Sequence, residues 1–423
     1  MSALPTSRQK RPRFQITDEE ATAFAAEDGT DDDTFGLQVY ETRWAAYYEY
    51  LIDTGYQLRP RFRPGWVRSW RGTNHYPEDC EDSWSRVSNN TLDAVRVSDG
   101  KQVMIKMILP SAEYPVGDDQ SEVKILQYLS SPELRSDTRN HAVPYLDSFP
   151  IPGVSGGIFL VTPLLVPWNK PLLTTVNEAV DFMRQIFEVR EVVLSKSGLL
   201  INQQGLAFLH EHRVAHRSVV QPSFIPPKPT RSFRDCTPPN IMMNWSPLID
   251  EPFHPVRNEC SLDGEYYIRV GIRTETPIRY YFIDFDLATY FKPGVRHPRV
   301  TGQAGRERSV PELNSLKRYN PYKVDIFMIG AFLERDLVEK FPDLAFLRPL
   351  IHRMMSPRPR NRPTAAKVVR MFQKIIQKRP TQNLNKCLTP SPPPGVLDSA
   401  LVALRNVLGQ GFLMVLGLFR RML

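Results

Sequence analysis

The sequence predicts an α+β chain, with a small β-rich part followed by a larger α-helical part. Three observations carry this. Apolar and polar residues alternate through T-L-D-A-V-R-V-S-D-G-K-Q-V-M-I-K around the turn signal S-D-G, a β-hairpin pattern. From Asn177 onward helical periods dominate. The chain has 423 residues, 41% of them hydrophobic and 24% charged, enough to build a sizeable core and to exclude a wholly disordered polypeptide. Strands first and helices afterwards is the pattern of a segregated sheet and helical body.

In chain order, residues 1–35 are polar, carry the acidic cluster Asp28, Asp31, Asp32 and Asp33, and read as a disordered arm. Residues 36–85 read as an N-terminal extension. Within it, Tyr40–Tyr50 sets aromatic residues on a helical period, which predicts a docking helix. The Pro-broken stretch R-P-R-F-R-P-G-W-V-R-S-W (Arg59–Trp70) reads as a loop wrapped on the domain surface, with a phosphate or nucleic-acid strip as the alternative. Compact patterns begin at residue 86 and define one domain over 86–378, split into 86–165 and 166–378. The hairpin is followed by a helix at Glu122–Leu129 and a buried apolar strand at Gly157–Leu165. Two β-rich patches, Ile241–Asn244 and Tyr266–Phe285, interrupt the helical part. Residues 379–395 hold P-S-P-P-P and read as a Pro-rich linker. Residues 396–423 form an apolar segment expected to pack on the domain, with membrane-surface contact as the alternative.

Net charge is +8 and the isoelectric point is near 9.2, but the basic residues are dispersed, so no nucleic-acid partner is expected. The four cysteines, Cys80, Cys236, Cys260 and Cys387, have no metal-ligand spacing. No apolar signal segment opens the chain and no run of 18 apolar residues occurs, so the expected compartment is the cytoplasm, with the nucleus as alternative, and no transmembrane span is expected.

Phosphoryl transfer needs a cation for the α/β-phosphates, carboxylate or amide ligands for Mg²⁺, and a carboxylate beside the attacking hydroxyl. Lys106 ends the second hairpin strand, and sixteen residues later Glu122 begins a helix. Such a pair, across strand and helix, would hold an ammonium over phosphates; the plain alternative for Lys106 is an edge residue. Asp235 and Asn240 stand five apart in D-C-T-P-P-N, where a tight Pro-bearing loop would bring them together. The apolar run Y-Y-F-I-D-F-D ends in Asp284 and Asp286, two residues apart and so on one side of a strand, both hard oxygen ligands suited to Mg²⁺.

These residues resemble the eukaryotic protein kinase family, over about Val95 to Phe372. Lys106 matches the V-A-I-K lysine, Glu122 its partner glutamate, Asp235 and Asn240 the catalytic-loop pair, and Asp284 the metal-binding aspartate of D-F-G. Val310-Pro311-Glu312 resembles A-P-E. Asp325 resembles the helix aspartate that braces the catalytic loop, and Arg362 the arginine that pairs with the A-P-E glutamate. His216-Arg217 resembles the start of H-R-D. More narrowly, F-L-H-E-H-R-V-A-H-R, D-C-T-P-P-N-I-M-M and K-V-D-I-F resemble divergent kinase-like proteins of mushroom-forming (basidiomycete) fungi. The resemblance implies a two-lobed kinase-like fold, ATP and Mg²⁺ as cofactors, and a protein substrate. It implies Thr162 at the back of an adenine pocket, backbone groups of Pro163–Leu165 at the adenine edge, and Asn240, Asp284 and Asp286 as metal ligands. It also makes Thr301 and Ser309 the expected phosphosites of an activation segment.

Four departures stand out. No G-x-G-x-x-G precedes Lys106; the matching stretch is Arg86–Asp93. Thr237 replaces the catalytic-loop lysine. D-F-G reads D-F-D, a form shared with small-molecule kinases. Finally, 189–204 interrupts an apolar helical period and 218–234 separates His216-Arg217 from Asp235. Excising both restores one helix and an intact H-R-D-C, so both read as inserts of retained-intron type. With the second insert kept, Phe233-Arg234-Asp235 would fill the H-R-D slots. The expected function is ATP-dependent transfer to protein Ser or Thr hydroxyls; a pseudokinase scaffold and a small-molecule kinase are the alternatives.

Overall fold

The computed structural model describes residues 8–30, 33–85, 88–110, 121–187, 205–217, 240–302 and 309–391. The chain begins with α1 (Asp18–Ala26), α2 (Val39–Ala46), α3 (Tyr48–Asp53) and β1 (Tyr56–Gln57). Next come β2 (Thr91–Arg96), β3 (Gln102–Ile108), α4 (Glu122–Leu129), α5 (Pro132–Arg135), β4 (Asp147–Pro150), β5 (Ile158–Pro163) and β6 (Val166–Pro167). Then follow α6 (Val176–Phe187), α7 (Leu206–Glu211), β7 (Val214–Ala215), β8 (Ile241–Asn244), β9 (Arg279–Phe282) and β10 (Thr289–Tyr290). The last helices are α8 (Pro321–Leu333), α9 (Arg348–Met354), α10 (Ala365–Gln377) and α11 (Thr381–Leu384).

Five strands form an antiparallel sheet in the order β1-β2-β3-β5-β4. The β2–β3 hairpin turns at Gly100, whose φ of +68° is open to a residue without Cβ. Strand alternation sorts the side chains onto two faces. Leu92, Ala94, Val103, Ile105, Met107, Phe159 and Val161 lie on the outer face, packed with Trp44, Tyr48 and Leu51 of α2 and α3 and with Phe62. Each such side chain, fully buried, contributes about 1.5–3 kcal/mol. Thr91, Asp93, Met104, Lys106, Leu160 and Thr162 share the inner face, where Leu160 joins the core of the helical body. A ribbon β6-β8-β9 stands across from that face, and β7 pairs with β10.

The helical body is built around α8, which is buried along almost its whole length. Helix α10 buries Ala365, Val368, Val369, Phe372 and Ile376 at helical spacing and is capped by Thr364. Helices α6 and α7 meet end to end: a Cβ on Gly205 would lie 2.3 Å from the Gln185 carbonyl oxygen, in the last turn of α6. The inserts at 189–204 and 218–234 lie outside the described residues, as do residues 396–423.

Three expectations about the termini need correction. The arm over 1–35 is structured from residue 8. Thr17 and Glu20 form a capping box on α1, and Arg68 pairs with Asp28 and Asp33 of the acidic cluster. Buried Arg11 donates to Asp79 and to Gly264 O, and Lys10 bridges to Tyr266. Polar composition concealed these specific partners. The 379–395 linker is docked as far as it is described: Thr175 pairs with Cys387, and Leu388 N–H donates to Thr174 O. The domain does not begin at 86, because β1 of the extension pairs with β2. A two-residue strand carries no alternation for a sequence reading to find.

Two further corrections concern loops. Arg59–Trp70 runs over the surface at Pro60, Arg63–Gly65, Val67 and Ser69, as expected, but anchors itself inward through Arg59, Arg61, Phe62 and Trp70. Arg61 is fully buried and donates to Glu41 (2.8 Å), Asp82 O (2.6 Å) and Gly36 O (3.1 Å), and Phe62 joins the outer-face core. Within Tyr266–Phe285 only Arg279–Phe282 is regular strand. The sheet connection ahead of β2 is the long excursion 58–90 from β1, not the short stretch Arg86–Asp93. No helix among the described residues is long and apolar enough to cross a membrane.

Candidate active site

Lys106 and Glu122 reach one point from two elements. The inner-face position of Lys106 on β3 and the first-turn position of Glu122 on α4, capped by Ser121, bring Nζ within 2.7 Å of Glu122 Oε2. The same Nζ donates to Asp284 Oδ1 at 2.5 Å. Asn240, immediately before β8, donates from Nδ2 to Asp284 Oδ2 (3.2 Å), and Phe285 N–H donates to Glu122 Oε1 (2.9 Å). Residues 178 apart in sequence thus share one hydrogen-bonded cluster.

Asp284 has φ +63°, a left-handed conformation that Asp tolerates better than most residues. That turn ends the strand geometry at Phe282, so the alternation argument for Asp284 and Asp286 does not hold. Asp286 is exposed, yet its charge still acts on Lys106. Burial disfavours the ammonium, but Glu122, Asp284 and Asp286 outweigh it and hold the lysine above its ordinary pKa. Burial also pushes Glu122 above the usual carboxylate range, with Asp284 and Asp286 adding to the rise against the pull of Lys106. The Lys106 shift thus comes from its carboxylate neighbours, whereas that of Glu122 comes first from burial. Lys106 and Asp284 remain partly open, with side chains 21% and 18% exposed.

A second set of bonds fixes the backbone beneath. Asp325 of α8, wholly buried, accepts from His216 N–H (3.0 Å) and Arg217 N–H (2.7 Å) and bonds His210 Nε2 (2.9 Å). His216 Nε2 donates to Ile283 O (3.0 Å), one residue before Asp284; burial lowers this imidazole's pKa and keeps the ring neutral. Arg217 reaches Leu287 O, Thr289 Oγ1, Tyr319 Oη and, at 3.4 Å, Thr301 O. Glu312 and the buried Arg362 form a two-pronged ion pair, both contacts 2.7 Å. Thr301 and Ser309 are exposed.

Arg234, Asp235 and Thr237 lie outside the described residues. Thr162 lies opposite Met104 on the inner face of the sheet. Leu165 is buried, and the Leu164 N–H expected at a base edge donates instead to Gln102 O (3.3 Å). Sequence reasoning missed a neighbouring polar cluster. Asp93, on the inner face two positions along from the Lys106 pairing, accepts from Arg59 Nε (3.2 Å). Arg59 also bonds Trp84 O and Glu81, and Glu81 bonds His254. No spacing pattern links these residues; Glu81 and His254, in direct contact, are 173 positions apart. Among the described residues no group of three or more His, Cys, Asp or Glu side chains is arranged to hold a metal.

No family model matches the chain, and no curated protein matches it. Among solved structures it is similar to the crystal structure of the Rad53 kinase domain and SCD2 in complex with AMPPNP, at 15% identity and a TM-score of 0.36, covering 72% of this chain and 96% of that one. A likeness this distant decides nothing about the chemistry.

Proposed function

We propose that the chain has a two-lobed, kinase-like fold and is an ATP-dependent protein kinase that passes the γ-phosphate to Ser or Thr hydroxyls. The observation that carries this reading is Lys106 held between Glu122 and Asp284, with Asn240 closing on the same aspartate.

In this reading the Lys106 ammonium binds α/β-phosphate oxygens, and Glu122 keeps it aimed across the seam between sheet and ribbon. The hard carboxylate oxygens of Asp284 and Asp286, with the amide of Asn240 beside Asp284, fit a hard divalent cation. Mg²⁺ commonly takes one or two protein carboxylates and completes its shell with phosphates and water, so a fuller protein cage is not needed. Mg²⁺ bound there supplies neutralisation of phosphate charge. Asp325 holds the backbone of His216 and Arg217, and through them the approach to the catalytic loop. Asp235, assigned from sequence alone, accepts the hydroxyl proton. Glu312 and Arg362 brace the segment between Asp284 and α8.

The test is transfer of radiolabelled phosphate to a generic basic protein with Mg²⁺. Transfer that Lys106→Met and Asp284→Asn each lower by roughly 10³-fold or more supports the reading. Transfer that survives either substitution refutes it. A second reading, a pseudokinase scaffold, is favoured by one observation: the Arg59–Asp93 cluster is buried on the inner face beside the site. Mg²⁺-dependent nucleotide binding with no transfer would select it.

A further inference from the structure

We propose that the excursion 58–85 and the segment 245–261 form a strap that shuts the base end of this site, and that a purine enters only when the strap is displaced. The inference rests on the reading above and adds its regulation.

Helix α4 closes one side of Lys106 through Glu122, so a nucleotide anchored there by its phosphates runs the other way, toward the β5–β6 connection. Strands advance about 3.3 Å per residue, so Met104 and its partner Asp93 lie roughly 7 Å along that path. The space beside them belongs to the chain's own side chains. Asp93 is 3% exposed and Arg59 8%; Arg59 bridges Asp93 and Glu81 and donates to Trp84 O at 2.8 Å. His254, with no exposure, contacts Glu81 at 2.9 Å and packs edge-on against Trp84. Beyond them Gln102 of β3 and the backbone of Phe253 bond reciprocally, Nε2 to Phe253 O (2.7 Å) and Phe253 N–H to Oε1 (3.2 Å). The phenyl ring of Phe253 packs on Trp245, just after β8. The strap therefore spans from the inner face of the sheet to the ribbon that carries Asn240.

The closure is tight but not fully satisfied. Arg59 Nη2 and Asp93 Oδ1 are buried without a hydrogen-bond partner among the described residues. Buried polar atoms left unpaired weigh against the closed arrangement, so it is poised to give way to a ligand. The phosphate end, by contrast, stays accessible while the strap is shut. A ligand made of phosphates alone should bind with the strap in place, and one with a purine should not.

The experiment titrates Mg–ATP and Mg–tripolyphosphate into the full chain, Gln102→Ala and Glu81→Gln by calorimetry, with hydrogen exchange followed over 245–262. Each variant should bind Mg–ATP about tenfold tighter, the size of two net hydrogen bonds. Tripolyphosphate affinity should stay within about twofold, which also shows that the variants fold. In the unsubstituted chain, Mg–ATP should speed exchange over 245–262. Unchanged Mg–ATP affinity in both variants, or slower exchange on binding, overturns the strap while leaving the phosphate site intact. Should neither ligand bind any of the three proteins, or should Lys106→Met retain tripolyphosphate binding, the kinase reading fails and the strap falls with it.

Discussion

The two ends of the seam use the same chemical parts to opposite effect. At one end Lys106 faces Glu122, Asp284 and Asp286, and the cluster is partly open. At the other, Arg59 faces Asp93 and Glu81, and the cluster is sealed by Trp84 and His254. At the open end Lys106 and Asp284 stay partly reachable by solvent, whereas at the other end Arg59, Asp93 and His254 are buried among the chain's own groups. Burial, rather than residue type, separates the two ends.

The sharpest way to break this contrast is to remove the open cation. Lys106→Met should reduce phosphate transfer by roughly 10³-fold or more, and it should also lower stability because the buried Glu122 loses its cation. At the sealed end the main effect is on stability. Arg59→Met alone strands two carboxylates and should cost about 3–5 kcal/mol in a denaturation curve, whereas Arg59→Met with Asp93→Leu should recover most of that.

Acid should also tell the ends apart. Lys106, held above its ordinary pKa, keeps its charge from neutral to acid pH. His254 is pushed down by burial; Glu81 and Asp93 favour its charged form and Arg59 opposes it. Its Nδ1 accepts from Val256 and Arg257 N–H, which leaves the single proton on Nε2 facing Glu81. A depressed histidine pKa means the unfolded chain takes the proton first, so this stability is present above about pH 6.5 and is lost as pH falls. Protection against hydrogen exchange over 245–262, after correction for the intrinsic pH dependence of exchange, should fall between pH 7 and about 5, and His254→Asn should flatten that response. His141, pushed down to about 3 by burial, adds a general acid slope of at most about 1.4 kcal/mol per pH unit that this substitution leaves in place. The smallest effect belongs to Asp286→Asn, at an exposed position, where Mg²⁺ affinity should fall about tenfold with no change in melting temperature.

How much of this was legible follows from sequence distance and pattern. The hairpin around Gly100, the helix at Glu122 and the strand Ile241–Asn244 were legible because alternation and capping are local signals. The convergence of Lys106, Glu122, Asn240 and Asp284 was legible only through ordered motifs, since 178 residues separate the ends. The Arg59 cluster was not legible. Its members sit in Pro-broken loops where arginines and aromatics are usually surface residues, and only tertiary packing brings Glu81 to His254. The arm was misread for the same reason: averaged polarity hid a capping box and one buried arginine.

The most direct test of the central claim is a calorimetric titration of Mg–tripolyphosphate into the intact chain and into Lys106→Met. Saturable binding that requires Mg²⁺ and disappears in the variant is the predicted result. Equal binding by both proteins, or binding indifferent to Mg²⁺, would contradict the assignment of Lys106, Asn240 and Asp284 to phosphate and cation.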